Sequence, residues 1–423
     1  KPGLSVGSIV MLLVTLFVVV GMAAFLMLIA GDGVYERTRA AFGLIAEQIE
    51  TIPPAPTDVP TVSPALEVTS APTASPQPTA EPAEPPRNII IAAAGTIYAP
   101  KSVRESVQEG TDHYDFTPTF EGLSGALAGA DLSIVTLETL AAGREKGYGN
   151  YNTTPQIFDA LRAVGVNFVS LATERALDKG YDGLDITASE LTSRSMGYAG
   201  AYPDGVNTGA TMLRIGGVQV AVLAYSYGLS DEGRKRTRDD SRGVVAMMES
   251  QRVVRDITQA RVDGANIVVV LPHWGTKNSA QTPDTVHDMA RTMAQAGADV
   301  ILGTHPNVAQ GIERLQTVRS DGLTYETVVC YSLGCLLTDA RNSDNTAGMA
   351  VRLEMTYDPA TRRASPGELT VTPLYIARQR EDSGILYRVV DAENEQALQS
   401  LTMTEQAAAA QAAKRVRSAT QEE

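Results

Sequence analysis

His273 and His305 are two of only four histidines in 423 residues, and each stands at or just beyond the end of an apolar run. Three more runs share the design. Ile89–Ala94 leads into Gly95-Thr96, Asp131–Leu137 into Glu138, and Val166–Ala172 into Thr173-Glu174-Arg175, while Ile267–Leu271 and Val300–Leu302 precede the two histidines. Imidazoles and carboxylates are nitrogen and oxygen donors to a divalent ion. Runs this apolar read as buried central strands, and polar groups at their ends converge on one cleft at the carboxyl edge of a sheet.

The elements that must carry those residues alternate. Helices are expected within Tyr114–Ala128 and over Pro155–Val164, Gly183–Ser193, Val244–Asp263 and Val286–Ala296, from apolar residues three and four apart. Strands are expected at Val218–Ala224 and Thr327–Tyr331 as well as at the runs above. This alternation predicts a layered α/β domain. Met349–Met355 and Leu369–Tyr375 have no helix between them and should pair antiparallel at or beyond the sheet's edge. Asp231–Arg242 reads as a charged insertion, with GRKRTRDD at 233–240 a solvated loop of mixed sign. Asn394–Ala412 is helical by propensity.

The amino end is different. Leu4–Ala30 holds no charged residue and is long enough to span a bilayer with some tilt. Lys1 before it and Asp32 after it favour an inside amino end. A signal peptide has a shorter apolar part, so the expectation is one uncleaved anchor at 1–31. Val34–Ile49 could continue as an amphipathic helix, and Thr51–Pro86 is a Pro/Thr/Ser-rich tether without the apolar mass for a core. The resulting division is an anchor at 1–31, a juxtamembrane segment and linker at 32–86, an α/β domain at 87–380 and a partly helical extension at 381–423. A net charge of −14 argues against nucleic acid as a partner. Cys330 and Cys335 are the only cysteines; they are either two small buried residues or a disulfide outside the cytoplasm.

The order of motifs resembles that of the poly-gamma-glutamate/capsule biosynthesis (CapA-like) family, within the calcineurin-type metallophosphatase-like superfamily. The resemblance rests on DLSIVTLET at 131–139, ALRAVGVNFVSLATERALDKGYDGLDIT at 160–187, LPHWGTKN at 271–278, GADVILGTHPNVAQGIE at 297–313 and CYSLGC at 330–335. It implies a four-layer α/β/β/α sandwich, held outside a bacterial membrane and associated with an anionic cell-envelope polymer and membrane assembly proteins.

The same resemblance exposes departures. The family places Asp where this chain has Thr96, Asn-Leu-Glu at Thr136-Leu137-Glu138, and Asn-Asn-His at Thr173-Glu174-Arg175. Its His-Trp-Gly-x-Glu-Tyr is His273-Trp274-Gly275-Thr276-Lys277-Asn278 here. Its Gly-His-His-Pro-His is Gly303-Thr304-His305-Pro306-Asn307, and an Asn becomes Cys335. Almost every change removes a ligand. A two-metal hydrolytic site clamps both the attacking and the leaving oxygen and needs more fixed donors than remain. The expectation is therefore no cofactor, with Glu138, His273 and His305 as the set if a single divalent metal is held. Arg175, where a metal-binding His would sit, is expected to supply a fixed positive charge to Glu138 or Glu174, or else to be a loop charge. Trp274 either stacks on a sugar ring or fills a gap. Ser332 lacks the setting of a serine nucleophile, and Tyr225-Ser226-Tyr227-Gly228 is placed to line the cleft. These residues point first to a non-catalytic polymer-binding or assembly component. Alternatives are a metal-dependent hydrolase or transferase, or a scaffold acting through a remote surface.

Overall fold

β-Branched and small apolar residues make Arg87–Ile97 a strand, β1, and side-chain alternation sends its two faces to different cores. Ile89, Ile91 and Ala93 face one cluster, whereas Ala92 and Ala94 face another. The computed structural model describes residues 84–421 apart from 204, 206–208, 240–243 and 382–383. The expected anchor at 1–31, the helix at 34–49 and all of the linker except 84–86 lie outside the described residues. Among the described residues no helix is long and apolar enough to cross a membrane.

After β1 come β2 (Leu132–Leu137), β3 (Phe168–Ser170), β4 (Gly197–Ala199), β5 (Ala201–Tyr202), β6 (Thr211–Ile215), β7 (Val218–Ser226) and β8 (Val244–Val245). Then follow β9 (Ile267–His273), β10 (Val300–Leu302), β11 (Ile312–Val318), β12 (Thr324–Cys330), β13 (Cys335–Leu337), β14 (Ala347–Asp358), β15 (Arg363–Glu381) and β16 (Gly384–Asp391). One mixed sheet runs β16-β15-β14-β1-β2-β3-β4, with β13 also on β1; the other runs β11-β12-β10-β9-β7-β6. β5 and β8 form a separate antiparallel pair.

Three cores define the layers. Phe120, Leu123, Leu161, Leu184 and Leu191, from helices and turns at 117–127, Gln156–Ala163 and Gly180–Ser193, pack on the outer face of the first sheet. Ile89, Ile91, Leu132 and Ile134 meet Val220, Val222, Val269, Val300 and Val328 between the sheets. Val253, Ile257, Ala290 and Met293, from helices Ser250–Val262 and Asp284–Ala296, cover the second sheet. The order is helix, sheet, sheet, helix, the four layers expected.

Two local expectations are corrected. β14 and β15 are antiparallel, with Val351 opposite Val371, but β14 also lies against β1, Leu353 opposite Ile91. It is therefore an interior strand, and its first five residues are all buried. The charged stretch after Ser230 forms a helix, Asp231–Asp239, rather than a loop. It has no apolar stripe; Asp231 with Arg234 and Glu232 with Arg236 pair at helical spacing.

The first sheet continues past residue 380 through β16. Helix Met403–Thr420 then docks by small side chains, Ala409, Ala412 and Ala413 meeting Tyr375 and Ala377. Thr402 caps it, its hydroxyl accepting from the Glu405 amide at 3.3 Å. Thr402→Ala should lower stability by about 1 kcal/mol, read as faster amide exchange across 403–410.

Candidate functional site

The carboxyl ends of β1, β2, β3, β7, β9 and β10 meet, and backbone bonds fix each loop there. The Glu138 amide donates to Ile97 O at 3.0 Å, Ser230 to Glu174 O at 2.8 Å, Tyr227 to His273 O at 3.0 Å and Thr304 to Pro272 O at 2.9 Å. His305 is held at φ 100° and Asn307 at φ 62°, left-handed backbone that non-glycine residues adopt at a cost and that clusters at functional sites.

Glu174, His273 and His305 are buried together. Glu174 Oε2 accepts from His273 Nε2 at 2.6 Å and lies 3.3 Å from His305 Nδ1; the two ring nitrogens are 3.2 Å apart. His273 Nδ1 is 3.1 Å from Thr304 Oγ1, so with Nε2–H given to Glu174 the hydroxyl donates to Nδ1. Burial works against the Glu174 carboxylate, but hydrogen bonds from both histidines outweigh it and hold its pKa well below the usual range. Burial lowers the His273 pKa, although Glu174 opposes that shift.

Glu138 is not part of that triad. Burial, and then the Glu174 charge, raise its pKa to about 7, while Lys277 and Arg175 pull in the other direction. The Lys277 ammonium is 3.9 Å from Glu138 Oε1 and 3.9 Å from Glu174 Oε1. Lys277 thus shares with Arg175 the compensating role expected of Arg175. Arg175 stacks 4.0 Å over Tyr151, pairs with Asp178 at 3.2 Å and reaches Glu174 only at 4.0 Å. No ion pair within 4.0 Å joins it to Glu138 among the described residues.

Trp274 fills space: it is buried and donates Nε1–H to Tyr331 O at 2.9 Å. Tyr227 stands at the mouth, half exposed, its ring 4.5 Å from that of His305. Asp178, which accepts from the Ser230 hydroxyl, and the Tyr98–Tyr151 pair at 5.4 Å join the cleft without having been singled out. The spacing of Arg175 and Asp178, three residues apart, was the available signal. Thr96 is buried, its hydroxyl without a hydrogen-bond partner. Cys330 and Cys335 are free, buried thiols whose pKa burial raises.

Part of the donor set has the spacing of ligands to one divalent ion. Ligands about 2.0–2.1 Å from a tetrahedral ion stand about 3.3 Å apart, and two of the three separations, 3.2 and 3.3 Å, match. The third, 2.6 Å, is a hydrogen bond. Thr304 would orient His273 from behind. Among the described residues the carboxylate grouped with the two imidazoles is that of Glu174, set there by the turn after β3, whereas the carboxylate expected from the sequence was Glu138. Among the described residues no second such set is found: Thr96, Thr136 and Thr173 bring hydroxyls, and position 277 brings an ammonium.

The chain is 26% identical over 226 residues to the PGA biosynthesis protein CapA of Bacillus subtilis, covering 53% of this chain and 54% of that protein. It is 26% identical over 186 residues to the capsule biosynthesis protein CapA of Bacillus anthracis, covering 43% and 42%. The chain thus spans about half the length of the curated relatives it matches. Among solved structures it is similar to the calcineurin-like phosphoesterase YfkN of Bacillus subtilis, with 13% identity and a TM-score of 0.44, covering 78% of this chain and 100% of that one. The model of the bacterial capsule synthesis protein family, PGA_cap, matches residues 90–340, which hold every strand end of the cleft; the chain belongs to that family.

Proposed function

We propose that this protein serves capsule or poly-gamma-glutamate synthesis as a non-catalytic polymer-binding or assembly component. In this reading, residues 4–30 anchor it in the cell membrane and the α/β domain works outside the cytoplasm beside membrane assembly proteins. One observation carries the non-catalytic part: the Lys277 ammonium lies 3.9 Å from each of the two cleft carboxylates, Glu138 and Glu174. A positive side chain there supplies part of the electrostatic role of a cation.

The second reading, a metal-dependent hydrolase or transferase acting on an envelope polymer or phosphoester, is favoured by the donor atoms of Glu174, His273 and His305, which all lie within 4.8 Å of one another. An ion held by them would supply Lewis-acid polarisation of a substrate oxygen. The chain's own groups would position it, with Thr304 fixing the His273 ring and Tyr227 covering the His305 side. Metal analysis of the full chain, purified in mild detergent without chelator, separates the two readings. The expected result is no stoichiometric ion in the wild type or in His273→Ala. One equivalent of zinc, manganese or iron that disappears in His273→Ala overturns the non-catalytic assignment.

A further inference from the structure

The cleft is poorly suited to an acidic polymer. Glu138, Glu174 and Asp178 crowd it, and the chain as a whole carries −14. A positively charged exception lies at the other edge of the second sheet, where β9, β10 and β12 begin. A groove of about 1050 Å³ opens there, lined by Arg261, Arg319 and Arg362 with only Asp299 and Asp321 as carboxylates.

Its floor is rigid. Asp299 is buried and accepts from Arg261 Nη2, from Arg319 Nη2 at 3.0 Å and from the Val268 amide at 2.8 Å. One carboxylate therefore answers two guanidinium groups, leaving the floor net positive. Those groups are pinned further: Arg261 donates to Gly297 O at 2.7 Å and Asn266 O at 2.8 Å, and Arg319 to Ala298 O at 2.6 Å. Asp321 is engaged by the Tyr325 hydroxyl at 2.6 Å and the Leu323 amide at 3.0 Å.

The rim offers donors. Among the described residues Arg362 makes no hydrogen bond or ion pair, although the turn holds its backbone at φ 56°. Arg319 instead backs the groove: its side chain is 9% exposed and its guanidinium stacks 4.2 Å over Tyr325. Beside these charges Val254 and Val262 leave apolar surface exposed, Val262 to 74%. An unpaired guanidinium over a positive floor and next to an apolar wall suits carboxylates carried on methylene spacers.

We propose that this groove is a second binding site, remote from the cleft, that takes an extended polycarboxylate chain. Arg362 receives its carboxylates over a floor left positive by Arg261 and Arg319, and Val254 and Val262 pack on its methylenes. The choice of a polymeric ligand rests on the function proposed above; the groove's preference for carboxylates does not.

The test titrates the full chain in mild detergent with a fluorescent γ-linked glutamate oligomer, with glutarate as a short competitor and anionic lipid vesicles as a separate probe. Expected are salt-sensitive binding, competition by glutarate, and about tenfold weaker binding both in Arg362→Glu, which removes a charge-assisted contact, and in Val262→Glu, which sets a repelling carboxylate on the apolar wall. Both positions are exposed, so the fold survives. Binding that persists in both variants but is lost in Lys277→Ala places the polymer in the cleft; it overturns this inference and leaves the proposed function standing. Glutarate binding that depends on Arg362 without oligomer binding overturns the polymeric ligand and weakens the proposed function with it. Binding of vesicles alone, or of no probe, overturns the inference outright.

Discussion

Asp299→Ala is expected to remove about 3–5 kcal/mol of stability, the loss seen when one member of a buried ion pair is deleted. Asp299 is 2% exposed, and the Arg319 side chain that it pairs with is 9% exposed. Neither arginine can turn to water without breaking bonds to backbone carbonyls that tie helix Ser250–Val262, helix Asp284–Ala296 and the loop after β11 to the second sheet. The mutant would hold two like charges side by side with no anion between them. It would also strand the Val268 amide, which donates to Asp299. Equilibrium denaturation in urea reads the loss. Asp299→Asn, which keeps an acceptor for one of these donors, should lose clearly less. A loss below about 1 kcal/mol in Asp299→Ala would mean that solvent replaces the carboxylate and that the groove floor is wetter than its burial indicates.

Gly95→Ala should be nearly as damaging. A Cβ at Gly95 would lie 2.1 Å from Gly334 O and 2.8 Å from Gly334 C. Both are backbone atoms of the loop whose carbonyl accepts from the Thr96 amide at 3.0 Å. No rotamer change relieves that clash, so the loss should reach or exceed the upper end of the roughly 1–3 kcal/mol typical of overpacking. Gly125→Ala is the internal control: an added Cβ there meets nothing within 4 Å, and helix propensity favours alanine by up to about 1 kcal/mol. Thermal unfolding of the pair checks both directions. If Gly95→Ala melts with the wild type, the β1–β13 approach is looser than described.

The architecture was legible wherever a strand is buried on both faces, because Ile89–Ala94, Ile267–Leu271 and Val300–Leu302 cannot sit anywhere else. Of the strands that keep polar residues on one side, Met349–Met355 and Leu369–Tyr375 were legible, but others were missed. β11 reads IERLQTV, with Leu315 and Thr317 buried and Gln316 and Val318 exposed, a pattern hidden inside a motif-rich stretch. Helix Asp231–Asp239 was unreadable for the opposite reason, since charge pairs rather than an apolar stripe maintain it. The site's membership was readable at His273 and His305 but not its partnership. Whether Glu138 or Glu174 meets the imidazoles depends on how the turn after β3 closes, and two adjacent charged letters, Glu174-Arg175, do not say which one points inward. Arg261 and Asp299 stand 38 residues apart in the chain, and no periodicity connects them.

β1 is flanked by β2, close in sequence, and by β14, far from it: the hydrogen bond between Asn88 and Thr356 joins residues 268 apart. During synthesis the isoleucine-rich strand therefore emerges with one edge unpaired and keeps that edge until the ribosome has made residues 347–358. An open hydrophobic edge is what other nascent chains add to. The hazardous interval for this protein is its own translation, and a transcript truncated before β14 yields an aggregating chain rather than a smaller folded one.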